Sequence, residues 1–353
     1  MTTAPAAVSE PLTPVRPQLP DAPTTLVLSE HPVFTRFFYA VCFSRDVGDE
    51  PLARRLLGTD LVVWRSAPDA PVSVALDRCA HRDAPLSRGW LKVCHLVCPY
   101  HGWEWDRYGA TQRIPQFPDA RRPSKSGLTM VTSEERYDMV WVCLDEAPLA
   151  GVPPLPEFDD PMWRVVPEQE FPFACTAMHL LENNFDPGHV AFVHRNTFGN
   201  PDNAELTDTA VMRRPHGLET LAQVPVEARP GAVGATLRTT TGTVYAPFFA
   251  SILITYPDGL RHLMVKAITP IDDHSCNLLQ TVLRTDTEGD LAGRQIHDFD
   301  IRVEDEDRAL LELLPTPFPL AVHLNAHAQA DRSSLALRRM WSELVTGSWT
   351  PTW

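Results

Sequence analysis

The chain has 353 residues, 44 % hydrophobic and 22 % charged, an ordinary globular composition with room for two domains that each bury a core. A formal charge of −14 excludes general binding to nucleic acids or anionic membranes, which needs a basic surface to displace counterions from phosphates. No apolar run is long enough to span a bilayer and no basic start leads into an apolar stretch like a secretory signal, so the cytoplasm is the expected compartment.

Residues 1 to about 28 carry Pro5, Pro11, Pro14, Pro17, Pro20 and Pro23 among Ala, Thr and Ser, a composition that favours extended, solvated backbone and predicts a disordered tail. From Val33 to about Cys143 short apolar runs, at 37–41, 61–64, 72–76, 96–97 and 139–142, are cut by Gly, Pro and Asp. Such spacing predicts a small antiparallel β domain over 29–150. The Pro- and Gly-rich stretch 147–161 reads as a linker. The second domain, 151–353, is expected to be α+β. It has a helix near 177–195, strands near 236–245, 249–256, 262–269 and 276–284, a helix over about 291–314 and a last one at 333–345, giving an antiparallel sheet flanked by helices.

Seven cysteines, an odd number scattered along the chain, suit reduced thiols and metal ligands better than a disulfide framework. Only two have ligand spacing. Cys79-Ala80-His81 and Cys98-Pro99-Tyr100-His101 fall on loops of the β domain and offer two thiolates and two imidazoles. That set fits a mixed-ligand iron-sulfur cluster, and by donor type alone also a Cys2His2 zinc site.

A second constellation lies on the 177–195 helix. Asn183, Asp186, His189 and His194 share one side of it. His189 and His194, five apart, diverge by about 140° on an ideal α-helix, too wide for one ion unless the helix breaks, and Pro187-Gly188 invites a break. Two histidines need a carboxylate to complete a facial iron site with open positions. The acidic run Glu304-Asp305-Glu306-Asp307 supplies candidates. Ile296, Phe299, Val303, Leu310 and Leu314 define an apolar stripe with Asp307 close to its centre, and an inward acid is costly unless paired or bound to metal. Asp307 is therefore the expected third ligand, with Glu306 at the stripe's edge second.

The text His81-Arg82-Asp83-Ala84-Pro85-Leu86-Ser87 and Cys98-Pro99-Tyr100-His101-Gly102-Trp103 resembles the two ligand loops of Rieske [2Fe-2S] domains. Glu182-Asn183-x-x-Asp186-x-x-His189-x4-His194 resembles the iron-binding helix of Rieske non-haem iron oxygenases. The segment from Val303 through Glu312 resembles the one that supplies the last ligand in their monooxygenase and demethylase branch. The resemblance implies a [2Fe-2S] cluster on Cys79, His81, Cys98 and His101, and a mononuclear iron(II) on His189, His194 and Asp307. It implies Asp186 as a hydrogen-bonding bridge from His189 to a neighbouring subunit's Rieske histidine, here His101, hence a homotrimer, and it places Asn183 beside the iron. The activity implied is hydroxylation or oxidative demethylation of a small hydrophobic or aromatic molecule with O2.

No dinucleotide fingerprint is present, so electrons are expected from a ferredoxin or an NAD(P)H-dependent reductase. Six basic residues (78, 82, 88, 92, 107 and 113) against three acidic ones (83, 104 and 106) form a basic stretch that could dock it. The apolar run 244–254 reads as either a pocket wall or a sheet core, and no run of Arg or Lys singles out a carboxylated substrate. The rival readings are an electron-transfer Rieske protein with a non-catalytic C-terminal module, and a zinc-stabilised binding protein.

Overall fold

A computed structural model describes residues 21–119, 121–229 and 232–353. Most of the segment read as a disordered tail thus lies outside the described residues. Its end does not fit that reading, because Thr25–Leu26 pairs with Phe318–Pro319 and buries Leu26.

The N-terminal part is all β apart from 3-10 turns. Tyr39–Phe43, Met139–Cys143 and Thr132–Arg136 form one three-stranded sheet, and Leu52–Leu56, Thr59–Trp64 and Ser73–Leu76 a second. Trp90–Lys92, His95–Val97, Glu104–Trp105 and Thr111–Arg113 form a four-stranded sheet that carries the second Cys-His loop. Between them Val62, Trp64, Leu86, Leu96, Trp103 and Trp105 close a small core in which Cys79 and Cys98 are also buried.

The C-terminal part is built on a seven-stranded, wholly antiparallel sheet. Arg164–Phe173 pairs with Cys276–Arg284, and the order then runs back through Arg261–Pro270, Phe249–Thr255, Ala232–Tyr245 and Gly217–Arg229 to Thr207–Arg214 at the far edge. The central strands are covered on both faces, so Cys276–Arg284 is buried at every residue. Because side chains alternate along a strand, Leu263, Val265 and Ala267 pack with Leu279 and Leu283 against Ala40, Phe43 and Trp141 of the N-terminal part. His262, Met264 and Lys266 take the opposite face.

Four α-helices accompany the sheet: α1 (Ala177–Asn184), α2 (Val190–Val193), α3 (Gly293–Leu311) and α4 (Arg332–Val345). Thr176 caps α1 by accepting from the His179 amide, satisfying one of its orphan N–H groups. Arg338 of α4 holds Glu182 through two hydrogen bonds of 2.8 and 3.1 Å, which fixes α1 against α4. Among the described residues no helix is long and apolar enough to cross a membrane.

Candidate metal centres

Both Cys-His loops are built on the same turn. In the first the Asp83 amide donates to the Cys79 carbonyl at 2.9 Å and the Cys79 amide to Ala84 at 2.9 Å; in the second Gly102 donates to Cys98 at 3.0 Å and Cys98 to Trp103 at 2.9 Å. Each turn closes through a left-handed residue, Asp83 at φ 56° and Gly102 at φ 67°, a conformation that suits Asp and Gly. His81 and His101 come together with ring centroids 4.5 Å apart, and Trp103 stacks on His81 at 4.4 Å. The Nδ1 atoms of both histidines are buried without a hydrogen-bond partner. Burial, with the Cys98 thiol beside it, pushes the Cys79 thiol up to about 11. Paired buried thiols facing two unsatisfied imidazole nitrogens are the donor set of a metal cluster, whose binding displaces the thiol protons. Among the described residues three donor atoms come within 4.8 Å of one another only at His189, His194 and Asp307.

The helix expected over 177–195 is broken. It stops at Asn184 and resumes as the single turn α2, with Phe185, Asp186, Pro187, Gly188 and the N-cap His189 between. Phe185 fits over the strand Ala232–Tyr245 at Gly242, where a Cβ would lie 2.4 Å from its ring. The break removes the angular mismatch between His189 and His194, whose rings meet at 5.1 Å. Asp307 of α3 approaches both, its Oδ1 standing 3.7 Å from His189 Nε2 and 3.5 Å from His194 Nε2.

The other nitrogen of each ring is engaged. His189 Nδ1 hydrogen-bonds the Asp186 carbonyl and His194 Nδ1 lies 3.0 Å from Glu306 Oε2, so both Nε2 atoms face the common point, as ligating imidazoles are held. Asp307 Oδ1 is buried without a hydrogen bond, and burial, with the Glu304 carboxylate nearby, lifts its carboxyl to about 8. An acid so placed favours a bound cation. Asn183 adjoins Asp307 and favours its charged form. The Asp186 carboxylate is half-buried, caps the Gly188 amide at 2.7 Å and lies 4.0 Å from His189 Nδ1.

Several expectations need correction. The buried face of α3 runs through Ile296, Asp300, Glu304, Asp307 and Leu311, whereas Leu310 and Leu314 are exposed. The stripe led to Asp307 but was drawn one residue off at its C-terminal end. Glu306, the second choice for third ligand, instead touches His194 from outside, and Glu304 of the same acidic run is buried against Lys266. The basic stretch of the N-terminal part is partly neutralised within the chain: Glu104 pairs with Lys92 and Arg113, and Asp83 with Arg78.

A cavity of about 120 Å³ opens from the His189, His194 and Asp307 group. Of the run 244–254 only Ile252 and Ile254 reach it; Val244 and Phe248 belong to the core beside α1 and α4. Val190, Phe198, Val224 and Met264 add apolar wall. Sequence reasoning missed three polar groups on the sheet side, Arg238, His262 and Lys266. The available signal was a strand with Leu263, Val265 and Ala267 on one face and His262 and Lys266 on the other.

Residues 37–128 match the family model for the Rieske [2Fe-2S] domain, and 173–347 the model for the vanillate O-demethylase oxygenase C-terminal domain. The methylxanthine N3-demethylase of Pseudomonas putida is 30 % identical over 334 residues, covering 90 % of this chain and 91 % of that protein. This chain belongs to the Rieske non-haem iron oxygenases. The structure of the Pseudomonas putida N1-demethylase NdmA with caffeine superposes with a TM-score of 0.78 at 26 % identity, covering 89 % of this chain and 92 % of that one. Dicamba monooxygenase bound to dicamba shares the fold with a TM-score of 0.76 at 22 % identity, covering 92 % and 99 %. The oxygenase is thus an α subunit with a [2Fe-2S] cluster and a mononuclear iron, acting with O2 on a small organic molecule. Neither the zinc protein nor the pure electron carrier fits this family.

Proposed function

We propose that the oxygenase removes a methyl group from an oxygen or nitrogen of a small aromatic molecule. The reaction consumes R–O–CH3 (or the N-methyl equivalent), O2, two electrons and two protons, and yields R–OH, formaldehyde and water. The observation that carries the reading is the His189, His194 and Asp307 group opening directly into a largely apolar cavity. The curated relatives named as methylxanthine and dicamba demethylases support it.

In this reading Cys79, His81, Cys98 and His101 hold the cluster, which stores one electron at a time. His189, His194 and Asp307 hold the iron, which supplies oxygen activation at its open positions. Glu306 and the Asp186 carbonyl fix the imidazole orientations, and Asn183 stands beside the iron and adjusts Asp307. The apolar walls exclude water and hold the methyl group toward the metal.

Assembly completes the electron path. Tyr100, packed on His101 at 3.9 Å between ring centroids, is 65 % exposed in the single chain, and Trp90, Tyr108 and Phe117 of the same domain are exposed too. A large exposed side chain packed against a cluster histidine suits a contact surface. We assign this surface to a neighbouring subunit of a homotrimer, with Asp186 of one subunit bridging His189 to His101 of the next. The domain boundary is placed in 147–161, the electron donor is a ferredoxin or NAD(P)H-dependent reductase, and five free thiols besides the cluster ligands Cys79 and Cys98, with no disulfide among the described residues, fit the cytoplasm.

The test is a single turnover. Holoenzyme reduced by dithionite, freed of excess reductant and given O2 with a panel of methoxy- and methylamino-arenes is expected to release formaldehyde. Cluster reoxidation without any oxidised organic product would contradict the assignment, and ring hydroxylation without formaldehyde would replace demethylation by hydroxylation.

A further inference from the structure

The sheet side of the cavity carries polar groups that the iron chemistry does not use. Register sets Thr240 beside Ile254 and Ile254 beside His262, one row across three strands, and His262 beside Arg284 on the fourth. Arg238, two residues before Thr240 on the same strand, shares its face. All but Arg284 line the cavity.

His262 is 2 % exposed and its Nδ1 lies 3.1 Å from the Arg284 guanidinium. A guanidinium can only donate, so Nδ1 accepts and the proton sits on Nε2. Arg284 is itself held by Asp286 at 2.6 Å, which locks this tautomer. Burial and the Arg284 charge keep the ring neutral, its pKa lowered to about 3. Nε2–H is therefore a fixed donor, and it is buried with no partner.

Among the described residues no carboxylate pairs with Arg238. Its guanidinium lies over Phe198, 4.8 Å from the ring centroid, and hydrogen-bonds Tyr256, its charge reaches His262 and the metal-facing His189 and His194, and its Nε is buried without a hydrogen bond. Thr240 Oγ1 is likewise buried and unpartnered. Of the other charged groups lining the cavity, Lys266 pairs with Glu304, Asp307 faces the metal position, Asp186 caps the Gly188 amide, Asp300 lies on α3 and Arg332 stands at the start of α4. A partly buried guanidinium without a counter-charge gains from a ligand that completes it, and its planar fork matches a carboxylate.

We propose that Arg238, His262 and Thr240 form a carboxylate-binding subsite, so that the preferred substrate is an apolar, aromatic body bearing one carboxylate held on the sheet side of the cavity. This deepens the demethylase reading and rests on it for the position of the methyl group. Absence of an Arg or Lys run in the sequence does not oppose it, because the donors come from separate strands.

Binding and turnover distinguish the two claims. The ortho, meta and para methoxybenzoates, their carboxamides and the matching methoxybenzylamines are titrated into holoenzyme by calorimetry, then assayed for formaldehyde. A benzoate is expected to bind tightest. Arg238→Gln is expected to weaken it on the order of 30-fold or more while leaving the carboxamide within about twofold, with Arg238→Lys intermediate, since truncating a buried charge pair costs a few kcal/mol. Equal binding of benzoate and benzamide, tightest binding of the amine, no benzoate binding, or parallel weakening of acid and amide in Arg238→Gln would each overturn the subsite. Selective benzoate binding without formaldehyde would leave the subsite standing and remove demethylation; equal formaldehyde yields and affinities for acid and amide would do the reverse.

Discussion

Glu306 Oε2 lies 3.0 Å from His194 Nδ1 and accepts the Thr197 hydroxyl at 2.7 Å. One carboxylate thereby fixes the ring plane, the tautomer and the basicity of an imidazole whose Nε2 faces Asp307. Partners of this kind change metal affinity or activity by about 10- to 100-fold when removed. Glu306→Ala is therefore expected to lower iron affinity by that factor while the visible spectrum of the cluster stays unchanged, as read by iron titration of apo-protein followed in both signals.

Lys266 and Glu304 form an ion pair whose side chains are 4 % and 3 % exposed. Removing one partner strands a buried charge and costs roughly 3–5 kcal/mol, whereas replacing both by apolar residues of similar volume is close to neutral. Lys266→Met is expected to lower denaturant stability by about that amount, and Lys266→Met with Glu304→Leu to recover most of it. A double variant no more stable than the single one would show that the pair does more than neutralise itself.

Asp186 holds its own loop through Gly188 and presents a half-buried carboxylate near His189. Asp186→Asn is expected to retain both metals and slow reoxidation of the reduced cluster by about 10- to 100-fold. Stopped-flow reoxidation with substrate and O2 measures it, and unchanged rates would remove the inter-subunit bridge.

Two buried histidines set an acid limit on stability. Burial, with Arg338 nearby, lowers His179 to about 4, and burial with Arg284 and Arg238 lowers His262 to about 3. In the unfolded chain both take up a proton near the usual 6.5. The unfolded state therefore binds more protons between these values, and stability is full above about pH 6.5 and falls as pH drops toward 4. The slope is on the order of 1 kcal/mol per pH unit for each histidine. Denaturant melts across this window check it, with His179→Gln expected to flatten the slope.

What was legible in the sequence follows from the range of the interaction. Cys79, His81, Cys98 and His101 sit on local turns whose geometry is set within a few residues, so spacing was enough to group them. The break between α1 and α2 was readable because Pro187-Gly188 lies where His189 and His194 would otherwise diverge. The strands Arg164–Phe173, Thr207–Arg214 and Gly217–Arg229 were missed: the first two are sheet edges, where Pro172 and polar residues are tolerated and the apolar alternation fades, and the third, although interior, carries Glu219, Thr220, Gln223, Pro225 and Glu227 among its apolar residues. Glu304, Arg238 and His262 were invisible for another reason. Their partners and the cavity they face are fixed by register across distant strands and by α3 packing on the sheet, which no local pattern encodes.

Metal and acid-labile sulfide analysis of anaerobically purified protein, run beside Asp307→Ala, tests the two-centre assignment most directly. The expected result is about three iron and two sulfide per chain, falling to about two iron and two sulfide in the variant with the cluster spectrum intact. Loss of sulfide and visible colour in Asp307→Ala, or zinc without sulfide in the parent chain, would contradict it.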